Sequence, residues 1–102
     1  MSSRVTEQSA NWLQLSAAVV EKSPLRYTPS GLAALDFWLE QQVSIIDAGR
    51  PRQNQLRLKA VAFDQMAETL DRLPLGETRN FSGFLSNARY GKSVVFHIQN
   101  LI

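Results

Sequence analysis

Cationic and aromatic side chains occur together at several places in this sequence, and their spacing predicts where they lie. If the strands predicted around residues 35–46 and 56–62 pair, Trp38, Arg57 and Lys59 share one outward face. Cations neutralise backbone phosphates and aromatic rings stack on bases, so this combination suits a single-stranded nucleic acid. A Trp38 buried at a subunit contact or under a loop fits the same pattern equally well. The other candidates are expected in three loops: Arg26, Tyr27, Arg50, Arg52, Arg89, Tyr90 and Lys92.

Charge is distributed unevenly along the chain. Eleven Lys and Arg residues against nine Asp and Glu residues give a formal net charge of +2. Between Ala48 and Phe63 there are four cations and no acidic residue. Such a stretch on a nearly neutral chain indicates a partner with negative charge on one face. A solvated polar surface explains the composition equally well.

Residue types that support catalysis or bind metals and cofactors are sparse. The chain has no cysteine, which excludes disulfides, thiolate zinc sites, iron–sulfur clusters and cysteine nucleophiles. Its single histidine, His97, has no motif around it that supplies an orienting partner, so a structural or surface role is expected. The carboxylates show no paired spacing, and no phosphate-binding, dinucleotide or zinc-protease motif is present. The sequence therefore predicts a protein without enzymatic activity, cofactor or metal.

The length of the chain indicates one small domain, and its hydropathy indicates no membrane span. A chain of 102 residues with 44% hydrophobic content can bury a core without a metal or disulfide. No apolar run approaches the roughly 20 residues that cross a bilayer, and the first ten residues have no apolar signal core. We expect a soluble, cytoplasmic protein with no membrane partner.

Alternating apolar residues predict five strands that would position the candidate residues. The second segment is ambiguous, because its apolar positions fit both strand and helix spacing. Its Phe, Trp, Val and Ile content favours a strand. The first predicted strand begins at residue 11 and ends before Ser23-Pro24. The other four predicted strands cover about 35–46, 56–62, 81–85 and 94–98.

Turn residues and gaps in the alternation predict the connections. Thr28–Gly31 has the proline and glycine of a turn, residues 47–51 are expected to form a loop, and residues 87–91 a tight loop. Residues 64–73 are expected to be a short helix or an irregular segment. Residues 1–10 are polar and without periodicity, so we expect a disordered N-terminal segment, with the folded domain at 11–102.

The order of these elements predicts an all-β fold. Five strands, with the longest insertion between strands 3 and 4, match a five-stranded OB-fold barrel with a short helical or irregular segment at that place. Other small barrels, such as SH3-like ones, give a similar pattern. OB-folds bind oligonucleotides and oligosaccharides, which agrees with the cationic and aromatic residues.

Several motifs resemble a known family. The segments 11–16 (NWLQLS), 23–31 (SPLRYTPSG) and 35–40 (LDFWLE) resemble the primosomal replication protein N (PriB) family, which is related to bacterial single-stranded DNA-binding proteins. The residues 83–85 (GFL) and 97–100 (HIQN) resemble its last two strands. The resemblance covers residues 11–102, and segment 23–31 is its most distinctive part.

The resemblance implies a homodimeric, non-catalytic DNA-binding protein of replication restart. Such a protein stabilises the primosomal helicase on single-stranded DNA and promotes primosome assembly with other primosome proteins. The family's DNA contacts map onto Arg52, Arg89 and Lys92, and Tyr27 stands where relatives carry a basic residue. Gln55 stands where some members have an exposed tryptophan, and the last hairpin is shorter here.

Two other functions are compatible with the same residues. One is a general single-stranded DNA-binding protein, which would coat long single strands. The other is a protein-interaction barrel with weak DNA binding, whose basic face would meet an acidic partner.

Overall fold

Six strands and one short helix form the part of the chain that the structure describes. The computed structural model describes residues 9–102, so residues 1–8 of the predicted disordered segment lie outside the described residues. In chain order the elements are β1 (Leu13–Lys22), β2 (Arg26–Tyr27), β3 (Ala33–Asp47), β4 (Arg50–Phe63), α1 (Gln65–Asp71), β5 (Thr78–Asn87) and β6 (Val94–Leu101).

The strands close into a barrel. The sheet order is β1-β5-β6-β4-β3-β2, and β1 also pairs with β3, which closes β1, β5, β6, β4 and β3 into a ring and leaves β2 at the edge. A bulge between Val19 and Glu21 lets β1 bend from one partner to the other. The seam between β4 and β6 is parallel and joins residues 59–61 to residues 95–97. Closure of this kind leaves few exposed sheet edges.

The barrel interior is filled by the alternating apolar residues. Leu35, Phe37 and Leu39 of β3 are buried, as are Phe81 of β5 and Phe96 of β6. Because side chains of a strand alternate between its two faces, the intervening residues of β3 and β4 point outward. This alternation places the candidate binding residues on the outer surface.

Helix α1 lies between β4 and β5 and packs on the barrel through Ala67 and Leu70, which are fully buried. Its C-terminal end is held by Lys22 of β1. The Lys22 ammonium donates hydrogen bonds to the carbonyls of Asp71 and Leu73, at 2.8 and 2.9 Å. These bonds satisfy carbonyl groups that the end of a helix leaves without partners.

β3 and β4 extend beyond the barrel as a two-stranded arm, defined here as residues 41–56. Their pairing continues from Ala34 and Phe63 to Asp47 and Arg50. The arm ends in a two-residue turn in which Ala48 and Gly49 have φ of 53° and 76°, as a type I′ hairpin turn requires. With the arm the molecule measures 49 × 36 × 28 Å.

The predicted all-β OB-fold barrel is confirmed, with the short helix between the third and fourth long strands. The ambiguous second segment is a strand. The predicted loop at 47–51 is wrong, because β3 and β4 pair up to the two-residue turn. The loop predicted for Arg26 and Tyr27 is also wrong, because they form a short strand paired with Ala34 and Ala33.

Candidate nucleic-acid interface

A groove of about 490 Å³ opens on the outer surface of the barrel at the β4–β6 seam. Lys59 and Val61 of β4 line it beside Val95 and His97 of β6. Lys59 pairs with Val95 and Val61 with His97 across the parallel strands, so the outward side chains of both strands lie next to each other. Further lining residues come from β2, β3, the end of β5 and the loops that follow β2 and β5. Five strands and two loops therefore meet in one concave site.

Three of the predicted cations line this groove. Arg26 lies on β2, Lys59 on β4 and Arg89 in the loop between β5 and β6. Hydrogen bonds across that loop, from Asn87 Nδ2 to the Lys92 carbonyl and from the Ala88 amide to the Ser93 carbonyl, hold its two sides together. Three cations from separate elements give the groove the charge that an anionic ligand requires.

Two aromatic rings, those of Phe63 and His97, line the groove. The His97 ring stacks on the Phe84 ring with centroids 4.7 Å apart and lies 6.2 Å from the Phe63 ring. A register shift between Ser82 and Gly83 precedes Phe84 and sets its position opposite His97. None of these rings was predicted from the sequence to bind a ligand. The outward parity that Phe63 shares with Lys59 and Val61 was the available signal.

His97 is neutral at physiological pH in this environment. Burial lowers its pKa below the ordinary value of 6.5, since desolvation disfavours the charged imidazolium. The neutral ring stacks on Phe84 without the cost of burying a charge. The expected structural role of His97 is compatible with this packing, and its ring also forms part of the groove lining.

Trp38 and Arg57 lie together on the same outer face, next to Lys59. Trp38 pairs with Lys59 across the strands, and Glu40 with Arg57. The Arg57 guanidinium lies 4.7 Å from the centroid of the Trp38 ring, in a cation–π contact. It also donates hydrogen bonds to Glu40 and Glu21. The structure therefore brings together the predicted ring and cation, with the cation stacked on the ring.

Arg50 and Arg52 are separated from the groove, because they lie at the tip of the arm. Arg52 and Lys59 are seven positions apart along β4, which corresponds to roughly 23 Å at about 3.3 Å per residue. Arg52 donates a hydrogen bond to Asp47 across the hairpin at 2.8 Å. The tip of the arm is thus a second positively charged region, separate from the groove.

The remaining predicted residues flank the groove. Tyr27 is exposed beside Arg26. Tyr90 is 85% exposed, and the Arg89 guanidinium lies 5.4 Å from its ring centroid. Lys92 is exposed in the same loop. These three side chains are open to solvent.

Two observations concern other kinds of site. Within residues 9–102, no group of three or more His, Cys, Asp or Glu side chains is arranged to hold a metal ion. The same residues include no helix with the length and hydropathy of a membrane span.

Known proteins match nearly the whole chain. A family model described as another single-strand binding protein family matches residues 11–100. The replication restart protein PriB of Bordetella pertussis is 40% identical over 90 residues, which cover 87% of this chain and 84% of that protein. The chain belongs to the PriB family. The resemblance predicted from segments 11–16 and 23–31 is therefore confirmed.

Other PriB relatives agree in sequence and in fold. PriB of Vibrio vulnificus is 31% identical over 97 residues, covering 90% of this chain and 96% of that protein. The structure of PriB from Ralstonia solanacearum has a TM-score of 0.82 at 36% identity, covering 92% of this chain and 97% of that chain. A small single-stranded DNA-binding protein from Streptomyces coelicolor shares the fold at 15% identity, with a TM-score of 0.72.

Proposed function

We propose that this PriB-family chain is a non-catalytic accessory protein of replication restart that binds single-stranded DNA on its barrel. The observation that carries the proposal is the groove that Arg26, Lys59 and Arg89 line together with the Phe63 and His97 rings. Cations for phosphates and rings for bases are the two features that single-strand binding combines. The replication restart proteins similar to this chain support the cellular role.

The proposed DNA path starts in the groove and follows the outer face of β3 and β4 toward the arm. Phosphates meet Lys59 and Arg89, whose side chains have no carboxylate at ion-pairing distance among the described residues. Bases meet the exposed parts of Phe63 and the Phe84–His97 stack. The full proposed set adds Arg26, Tyr27, Trp38, Arg50, Arg52, Arg57, Tyr90 and Lys92.

The proposal is tested by fluorescence anisotropy with labelled single-stranded and duplex oligonucleotides of equal length across a series of salt concentrations. We expect the single strand to bind more tightly and the affinity to fall with salt, by a slope of about −0.7 for each phosphate contact. Equal binding of both DNA forms, or no binding at low salt, would reject single-strand binding as the function.

A pair of variants assigns the site. Lys59→Gln with Arg89→Gln should reduce the magnitude of the salt slope by about 1.4, because two phosphate contacts are lost. Arg72→Gln is the control, since Arg72 follows α1 and does not line the groove. If the double variant and the control behave alike, the groove is not the DNA site.

The second part of the proposal concerns partners. We propose that the protein stabilises the primosomal helicase on DNA, promotes assembly with other primosome proteins and acts as a cytoplasmic homodimer. Exposed apolar residues such as Trp12 and Ile46 leave surface for protein contacts. Unwinding of a forked substrate by the helicase, with and without the chain, tests the partnership. Sedimentation equilibrium tests the dimer.

The helicase assay separates this role from general coating of single strands. An accessory protein increases unwinding at concentrations that leave most of the single strand uncovered. A general coating protein acts only when it is present in stoichiometric amounts over the whole strand, and such a result would reject the accessory role.

A further inference from the structure

Asp36 is the carboxylate among the described residues that line the cationic groove. Both of its oxygens accept hydrogen bonds from Arg26, from Nε at 2.7 Å and from Nη2 at 3.3 Å. A phosphate binds arginine through the same two-pronged arrangement of N–H groups. The carboxylate therefore occupies donors that a DNA phosphate would use, and the pair raises the pKa of the Arg26 guanidinium.

A second arginine is held more completely. Arg57 donates through Nη1 to Glu40 at 2.6 Å and through Nη2 to Glu21 at 3.1 Å, while its guanidinium covers the Trp38 ring. Two carboxylates on one guanidinium leave this group with a net negative charge. A phosphate that reaches Arg57, or a base that reaches the covered side of Trp38, must first displace these contacts.

The same arrangement occurs at the tip of the arm, where Arg52 donates to Asp47. The ion pair of Arg26 joins β2 to β3, those of Arg57 join β4 to β1 and β3, and that of Arg52 crosses the hairpin turn. No single local motif therefore explains these ion pairs. Four carboxylates thus hold three of the arginines proposed to contact DNA.

We propose that these four carboxylates, Asp36, Asp47, Glu21 and Glu40, are internal competitors of the DNA phosphates and set the affinity of the protein. DNA then binds by exchange, in which phosphate replaces carboxylate on each arginine. The inference rests on the proposed single-strand binding function.

The exposure of the pairs makes this exchange feasible. The side chains of Arg26, Arg52 and Arg57 are each about half exposed, and ion pairs open to solvent are individually weak. Phosphate competes for the same donors, and the backbone of the strand offers several phosphates in succession. The acids therefore lower the affinity without preventing binding.

The test measures affinity for an oligothymidylate of fixed length at one salt concentration. Three variants remove the competitors without removing an arginine: Asp36→Asn, Asp47→Asn and the double change Glu21→Gln with Glu40→Gln. Each should tighten binding by about two- to fivefold, the range expected when one weak ion pair no longer competes. Combining the changes should multiply the effects, since no residue takes part in more than one of the three sets of ion pairs.

Matched controls remove acids that hold no arginine. Asp71→Asn and Glu77→Gln make the same chemical changes. Each alters the net charge as much as one single variant, and the two together alter it as much as the double variant. Neither side chain forms an ion pair within residues 9–102. They should tighten binding by less than about twofold, because distant exposed charges are screened. Circular dichroism melts confirm that each variant is folded. The exposed Glu21 and the half-buried Glu40 provide a second test if Asp36→Asn is unstable.

The outcomes separate this inference from the proposed function. Tightening no greater than that of the controls would overturn it, because the effect would then be one of net charge alone. Weaker binding after Asp36→Asn would also overturn it, since Asp36 would then position Arg26 for phosphate. Binding by the combined variant but not by the natural chain would support internal competition and reject the proposed function. Absence of binding by both would reject both.

Discussion

The His97 imidazole lies in the groove against the Phe84 and Phe63 rings, so its protonation affects both packing and charge there. The facing titratable and charged groups are Asp36, Lys59 and Arg89, together with Arg26. Burial is the cause of its lowered pKa, and the native state therefore disfavours the imidazolium.

This environment predicts a loss of stability on mild acidification. As the pH falls below 6.5, the unfolded chain takes up the His97 proton more readily than the folded chain, so the free energy of unfolding decreases until the lowered pKa is passed. Urea unfolding at pH 7.5 and 5.5 measures the change. The variant His97→Asn should lose less stability over the same interval, and an equal loss in both proteins would contradict the prediction.

At the scale of elements, one side chain fastens α1 to β1. Lys22 reaches two carbonyls at the end of the helix, and no basic residue lies in the last turn of the helix itself. A cation at this end also interacts favourably with the helix dipole. The C-terminal end of α1 is therefore held by Lys22, which lies 49 positions before Asp71 in the chain.

Replacement of this lysine tests the contribution. Lys22→Met keeps most of the apolar stem and removes the ammonium, so we expect the free energy of unfolding to fall by about 1 to 2 kcal/mol. Lys92→Met is the matched control, because the Lys92 side chain is exposed and should change stability by less than about 0.5 kcal/mol. Thermal unfolding followed by circular dichroism compares the two. Equal melting temperatures would show that the hydrogen bonds to α1 contribute nothing.

The strands were predictable from the sequence, and the ion pairs across them were not. Alternation reports which residues face inward, and this correctly placed Trp38, Arg57 and Lys59 on one outer surface. Which residue lies opposite which depends on the length of the turn at 47–51. Once Ala48 and Gly49 are known to form the turn, Asp47 opposes Arg50 and the same register puts Glu40 opposite Arg57. Ala-Gly is a weaker signal for a two-residue turn than Asn-Gly.

The groove was only partly predictable for a similar reason. Lys59 could be selected by type and parity and Arg89 by type, but their proximity depends on barrel closure between β4 and β6, which joins distant parts of the chain. Phe84 lies at the outward parity of its strand, between Gly83 and Leu85. It was missed because the apolar pattern does not show that His97 lies opposite it on β6.

At the scale of the whole molecule, the barrel and the arm differ in how many neighbours support them. Chains of about 100 residues have a radius of gyration near 13 Å, and this molecule, with its arm extended, has one of 14.7 Å. Barrel strands are bordered on both sides over much of their length, whereas β3 and β4 pair mainly with each other within residues 41–56. Lys59 of the groove therefore lies on a strand with neighbours on both sides, whereas Arg50 and Arg52 lie on a hairpin whose strands support mainly each other.

The two-stranded arm has a consequence for amide hydrogen exchange. A hairpin without further neighbours is marginally stable in water, so its backbone can open while the barrel remains closed. Amides of residues 43–54 should exchange orders of magnitude faster than those of residues 35–39, and Ala48→Asn, which suits the positive φ of the turn, should slow the arm alone. Exchange at one common rate would instead mean that the arm unfolds only with the barrel.

Arm opening would make the tip arginines a mobile end of the proposed DNA path. A bound single strand would then lose its contacts with Arg50 and Arg52 first and dissociate from the tip of the arm toward the groove.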